Sequence, residues 1–339
     1  MRTSIMQGNN QTLFLKFSSR KTLGLQVLTL LLGLVACTSP SNKVDWNEAQ
    51  TPQPHKVTQE NNLPVELLWV QDVYIAFVSK ETKMVAVDGM VLFLGSTKPT
   101  ERGMLVALQG NDGRTVWQKP GSFREISADS EALYVGGLSW IFSFALESGE
   151  TIWSTKLPGF HNNVMYIYAV DDVLYTRGST SGQHLKNIKT GEIFDISQPF
   201  RSLPSGILEA YIPTITKDKI FYGSGKDAFS SASAWQRQPY YDFLWKTEEE
   251  NVISNVAASD KVAYFLTYND DLLMLDVNTG EKLGKIHFEP SINFFENQGA
   301  SQGNGYHVAV DDENNLLYVI LGDSNQMFAF KVLLESELE

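Results

Sequence analysis

Cysteine is almost missing from this chain: among 339 residues there is one, Cys37. A lone thiol excludes an intrachain disulfide, a cysteine-based zinc site and a disulfide between adjacent cysteines. Histidine is nearly as scarce. His55, His161, His184, His287 and His307 are the full set, and no two of them stand at metal-ligand spacing such as H-E-x-x-H. They read as scattered loop residues. Basic charge is short as well. Residues 1–36 hold Arg2, Lys16, Arg20 and Lys21 and no acid, so the remainder carries 23 basic residues against 39 acidic ones, a net −16. That balance disfavours nucleic acid, which needs a basic footprint.

Other chemistry is absent by motif. No G-x-S-x-G elbow occurs, and the glycine-rich Gly299–Gly305 (GASQGNG) has no G-K-[ST] behind it, which argues against phosphate binding. Asp311-Asp312-Glu313-Asn314-Asn315 lacks the alternating ligands, central glycine and distal glutamate of a calcium loop and reads as a solvated strand turn. The sequence therefore carries no catalytic constellation, and we expect no enzyme activity, no cofactor and no metal.

What is present is repetition. Leu105–Pro120 (LVALQGNDGRTVWQKP) returns as Phe142–Pro158 (FSFALESGETIWSTKLP), each an apolar strand, a turn centred on Gly113 or Gly149, and a strand carrying Trp117 or Trp153. Fainter copies lie at Leu185–Phe194 and Leu272–Leu283, with Thr190-Gly191 and Thr279-Gly280 at the turn. A second column gives the count. Acidic turns at Asp88, Asp129, Asp171, Asp218, Asp260 and Asp311 each precede an aromatic-rich strand, at spacings of 41, 42, 47, 42 and 51 residues. Six units of about four short strands predict an all-β propeller over 65–332. Seven blades are the alternative, because Asp72–Thr82 (DVYIAFVSKET) has room for further strands. The last unit, ending near Met327–Val332, lacks a Trp strand, whereas Pro64–Val70 (PVELLWV) supplies an orphan one with Trp69. We expect the N-terminal strand to complete the last blade and so close the ring.

Ahead of the repeats, Arg20 and Lys21 precede a mostly apolar run of 14 residues, Leu23–Ala36, short for a membrane span and suited to an export signal. It ends in Leu34-Val35-Ala36-Cys37, which resembles the bacterial lipobox. That resemblance implies cleavage before Cys37 and lipidation of its thiol; the competing readings are an uncleaved anchor and an ordinary buried thiol. Met6 is an alternative start. Residues 1–36 are thus expected to be a lipoprotein signal peptide, 37–64 a lipidated cysteine with a flexible polar tether, and 333–339 an acidic tail. Thr38 is not the aspartate that commonly holds lipoproteins at the inner membrane. The expected address is the periplasmic face of the outer membrane, or the outer face of the plasma membrane in a single-membrane cell.

The unit pattern, apolar-Tyr-Val-Gly, apolar-x-Ala-Leu, then x-(Thr/Ser/Asp)-Gly-(Glu/Arg)-x-x-Trp, is clearest at Val91–Trp117 and Leu133–Trp153. It resembles the pyrroloquinoline-quinone-type (PQQ-like) propeller repeat, which implies that the turn glycine adopts a positive φ and the Trp packs between neighbouring blades. Quinoprotein dehydrogenases of that family use adjacent cysteines and far longer chains. The resemblance therefore points to non-enzymatic members, above all the propeller lipoproteins of the bacterial outer-membrane barrel-assembly machinery, which usually have eight blades. It implies a monomeric protein-binding scaffold in the cell envelope whose partner is an envelope protein, with a barrel-assembly component as the specific case. A sensor or a glycan- or small-ligand-binding propeller is the alternative, and a quinone-dependent dehydrogenase a more distant one. One stretch departs from the repeat: Lys226–Leu244 holds Trp235, Arg237, Tyr240 and Tyr241, a composition suited to partner contact. Two readings stand for it, a partner-binding surface and a longer hairpin packed on its neighbour.

Overall fold

The computed structural model describes residues 56–61, 64–75, 84–98, 100–101, 103–158, 163–179, 182–193, 214–223, 231–237, 242–247, 252–289, 306–321 and 324–333. Cys37, Tyr240 and Tyr241 lie outside them. Among the described residues all regular structure is β-strand. Two strands, β1 (Lys56–Asn61) and β2 (Val65–Asp72), come first and are used later in the ring. Blade 1 holds β3 (Tyr74–Ile75), β4 (Met84–Val87), β5 (Met90–Ser96), β6 (Met104–Gln109) and β7 (Thr115–Pro120). Blade 2 holds β8 (Phe123–Ala128), β9 (Leu133–Gly137), β10 (Trp140–Phe144) and β11 (Thr151–Lys156). In blade 3 are β12 (Val164–Val170), β13 (Val173–Gly178) and β14 (Gly182–Asn187), and in blade 4 are β15 (Thr214–Ile215), β16 (Lys219–Gly223), β17 (Ala232–Gln236) and β18 (Phe243–Lys246). Blade 5 has β19 (Ala257–Ala258), β20 (Val262–Leu266), β21 (Asp271–Asp276) and β22 (Lys282–Glu289); blade 6 has β23 (His307–Asp311), β24 (Leu316–Leu321) and β25 (Gln326–Val332).

Six antiparallel sheets result, and β2 pairs with β25 from Val65 opposite Val332 to Asp72 opposite Gln326. The first body strand is thus the outer strand of the last blade, and the ring closes as the half-units at the two ends required. Blades of four antiparallel strands arranged this way make a six-bladed β-propeller. The segment that left room for a seventh blade contains β3, which pairs with Gly95 and Ser96 and continues the innermost strand of blade 1 beyond β4.

Burial explains the strand chemistry. The second strand of a blade has strands on both sides and a blade on each face, so β5, β9, β20 and β24 are buried along their whole length. Their sequences are accordingly continuous apolar runs, not alternating ones. The acidic turns enter each second strand. Asp88 and Gly89 both take positive φ in the two-residue loop between β4 and β5, as a type I′ hairpin requires. Asp129 instead accepts the amides of Glu131 and Ala132 on one carboxylate oxygen.

Neighbouring blades are locked by the other half of the repeat. Trp117 on β7 donates its indole N–H to the Leu146 carbonyl of blade 2 at 2.6 Å, and its ring lies on Gly149, where a Cβ would come within 2.8 Å. Trp69, Trp153 and Trp245 repeat that contact on Gly110, Ile188 and Val277 carbonyls, with Gly113, Gly191 and Gly280 beneath the rings. The glycine is therefore required twice, by its positive φ of +66° and by the ring above it. Where blade 5 has Gly284 in the Trp position, the following blade has its N-terminal closure instead of a glycine turn, so lock and socket are lost together.

One part of the stretch read as a tether is structured. Lys56–Asn61 forms β1, a fifth strand outside β22, in register from Lys56 opposite Glu289 to Asn61 opposite Gly284. Its polar side chains gave no periodicity, yet an edge strand needs only backbone pairing. Val57 supplies the apolar contact with the cluster between blades 5 and 6.

Candidate functional site

Propeller blades splay outward, so the wedge between two blades widens towards the rim and must be filled by side chains. Between blades 1 and 2 the filling is aromatic and incomplete. Period-2 alternation along β10 places Trp140, Phe142 and Phe144 on one face, towards blade 1. Trp140 stacks on Phe142 with centroids 6.3 Å apart, and Phe142 stacks on Phe144 at 5.7 Å with the rings 7° from parallel. Phe123 meets Phe142 and Phe144 edge-on. Beside them lies a cleft of about 330 Å³, floored by Pro120, Gly121 and Ser122 and opening at Leu138 and Trp140. Leu138 is 52% exposed and Trp140 41%.

The cleft is also cationic. Lys119 on β7 holds its ammonium 4.5 Å from the centre of the Phe144 ring, an attractive contact with the ring face. Lys156 lies directly opposite Trp140 across the β10–β11 pairing and so projects on the same face. Neither lysine has a carboxylate partner among the described residues. Stacked rings with the Lys119 ammonium against one of them, and Lys156 on the same face of the sheet, can hold an apolar or aromatic group that carries negative charge.

A second cavity of about 250 Å³ runs down the axis, lined by the innermost strands of all six blades. Its walls are chiefly alanine and valine with Ser127, Thr214, Thr216 and Asn255, and the polar groups are spent on lacing strands together. Ser127 accepts the Ala169 amide, while Asn255 pairs with both the amide and the carbonyl of Val308.

The residues singled out from sequence fare differently. Arg237 is 8% exposed; it donates to the carboxylate of Asp171 and to the Lys217 carbonyl, pinning blade 4 to blade 3. Trp235 packs edge-on against Phe243, with centroids 5.2 Å apart. The structure gives Arg237 an internal, blade-joining task, and among the described residues of this stretch Trp235 packs with the exposed Phe243. The acidic run at Asp311 also joins blades, Asp311 accepting the Gly89 amide at 2.6 Å and Asp312 the Asp260 amide at 3.0 Å. His287 bonds Asp271 at 2.8 Å within blade 5. Among the described residues no group of three His, Cys, Asp or Glu side chains is placed to hold a metal, and no helix is long and apolar enough to cross a membrane. Sequence reading missed the cleft, although the alternation Trp140-x-Phe142-x-Phe144 was its signal.

This chain shares its fold with the WD40 repeats of RRP9. The two are 10% identical, with 82% of this chain and 100% of the other covered at a TM-score of 0.55. A chain of the mitotic checkpoint complex is similar too, at 11% identity, 81% and 98% coverage and a TM-score of 0.54. BamB from Moraxella catarrhalis is 16% identical over 73% of this chain and 71% of its own; at a TM-score of 0.35 the likeness carries no argument. No family model and no curated protein matches the sequence. Identities this low speak for the fold alone.

Proposed function

We propose that this chain is a non-catalytic, lipid-anchored propeller that binds other proteins in a bacterial cell envelope, with outer-membrane protein assembly as the specific setting. The observation that carries the reading is the rim. Leu67 and Val70 on β2, Val116 on β7, Ile152 on β11 and Phe243 on β18 are each between 41% and 54% exposed on outer strands, while the second strands β5, β9, β20 and β24 bury theirs along their whole length. Large apolar side chains held in solvent on a rigid ring suit partner contact, and Met165 on β12, 37% exposed, adds one at the inner strand of blade 3. The lipobox-like Leu34-Val35-Ala36-Cys37 supports the anchor, and the acidic balance supports a protein partner over nucleic acid.

The test is recovery from membranes. Expressed in a didermic bacterium, the chain incorporates labelled palmitate, Cys37→Ser abolishes the label, and the solubilised wild-type chain recovers an envelope protein that the released variant does not. Absence of label, or recovery of no envelope protein, overturns the reading. A ligand- or glycan-binding propeller is the second reading, favoured by the ring stack at Trp140. It requires a small molecule that raises the melting temperature in wild type and not in Trp140→Ala.

A further inference from the structure

Every blade of a propeller leaves the outer edge of its fourth strand unpaired, and this molecule shows what such an edge can take. On blade 5 the edge of β22 is covered by β1, six extended residues laid antiparallel, with Val57 tucked against the apolar cluster between blades. The fifth strand is possible because an edge presents N–H and C=O groups in register, and it is stable because alternate side chains reach the wedge beside the blade.

Blade 2 offers the same arrangement without an occupant among the described residues. Strand β11 ends its sheet. Ile152 on it is 54% exposed. Ser154 lies opposite Phe142, so a small side chain leaves the middle ring of the stack uncovered next to the edge, while Lys156 lies opposite Trp140. A strand added along β11 would place alternate side chains over Ser154, against the rings, and beside Lys156. In a chain of net charge −12 these two ammonium groups, unpaired among the described residues, select an acidic neighbour for that aromatic contact.

From this we infer that the outer edge of blade 2 docks an extended segment of a partner protein in which aromatic and acidic residues alternate, laid as a fifth strand on β11. The inference rests on the protein-binding reading above and names its surface and the class of segment it takes. It accounts together for the open edge, the partly open Trp140 and Phe142 rings and two lysines without a carboxylate partner among the described residues.

The probe is a fluorescein-labelled peptide of alternating aspartate and phenylalanine capped with serines, titrated into the purified full-length protein, with a matched peptide carrying lysine for aspartate. The acidic probe binds saturably and at least tenfold more tightly than the basic one, and loses affinity as salt rises. Trp140→Ala and Lys156→Glu each weaken it at least fivefold, and bound probe slows hydrogen exchange of the β11 amides. Should Trp140→Ala disturb folding, Lys156→Glu at an exposed position carries the comparison, with the melting temperature as control. Failure to saturate, equal binding of the basic probe, indifference to both substitutions, protection on another blade, or a dimer of this chain dispersed by Trp140→Ala would each overturn the inference. The envelope recovery experiment is independent of these outcomes: a partner can still be captured through another surface when the probe does not bind, and probe binding stands without a lipid on Cys37.

Discussion

Lys186 gives the sharpest test of how the repeat works. Five residues before the turn glycine, blades 1, 2 and 5 have Leu108, Phe144 and Leu275, all buried; blade 3 has Lys186, with no exposed surface. Among the described residues its ammonium donates to the Gly191 carbonyl at 3.3 Å. Burial lowers its pKa from 10.5 to about 8. At about 1.4 kcal/mol per pH unit, holding the charged form inside costs on the order of 3 kcal/mol, since complete burial leaves no water to screen it. Replacing it with the residue the other blades use, Lys186→Leu, removes that cost and loses one weak hydrogen bond worth about 1 kcal/mol, while the added apolar burial is favourable. A net gain of roughly 2–3 kcal/mol follows at pH 7, or about 5–10 °C in melting temperature for a unit of this size.

The pH dependence separates this from simple repacking. Below pH 8 both folded and unfolded chains carry the proton, so the wild type bears the full cost. Between about 8 and 10.5 the unfolded chain binds more protons than the folded one, and wild-type stability rises with pH. The advantage of the variant therefore shrinks across that window and its charge-derived part is gone above it. Urea titrations of both proteins at pH 7, 8, 9 and 10.5 measure the difference directly, and other titrating groups cancel. A variant less stable than wild type at pH 7, or one whose advantage is the same at pH 7 and 10.5, would refute the reasoning.

Further expectations follow from the same geometry. Gly149→Ala puts a methyl against the Trp117 ring and a side chain at positive φ, and lowers stability by about 2–4 kcal/mol in chemical denaturation, with Trp117 fluorescence reporting a displaced ring. Arg237→Ala removes the hydrogen bonds from its buried guanidinium to the half-exposed Asp171 carboxylate and the Lys217 carbonyl and lowers stability by about 1–2 kcal/mol in chemical denaturation; loss of binding without loss of stability would return Arg237 to the partner surface. Burial pushes the Asp276 carboxyl up, but the amides of Thr279 and Asn278 outweigh it and hold its pKa below the ordinary value. Its contribution is present above the ordinary carboxylate pKa and fades as pH falls through the lower folded value. Asp276→Ala is therefore destabilising at pH 7 by about 1 kcal/mol, and by less as pH falls through the folded pKa, in the same denaturation assay.

The candidate surface was only partly legible in the sequence. Trp235 and Arg237 drew notice because they break the repeat, but a guanidinium within reach of Asp171 lowers the energy more as a buried bridge between blades than as a solvated rim charge. The cleft escaped because Trp140, Phe142 and Phe144 read as ordinary core in a strand that alternates. Phe144 is indeed buried; whether Trp140 is exposed depends on how far blade 1 stands from blade 2.

What the linear order of residues decided by itself was the set of local instructions: where Asp and Gly force a turn, which five or six residues are apolar enough for a strand buried on both sides, and that a Trp strand at the start answers a missing one at the end. These follow from backbone sterics and hydrophobic pattern, which act over a few residues at a time. Only the tertiary structure decided that Trp117 needs Gly149 bare, that Lys56–Asn61 leaves the tether to become an edge strand, that Lys186 is enclosed, and that three rings and Lys119 share one open wedge. Those outcomes depend on distances between chain segments dozens of residues apart, and only closing the ring sets those distances.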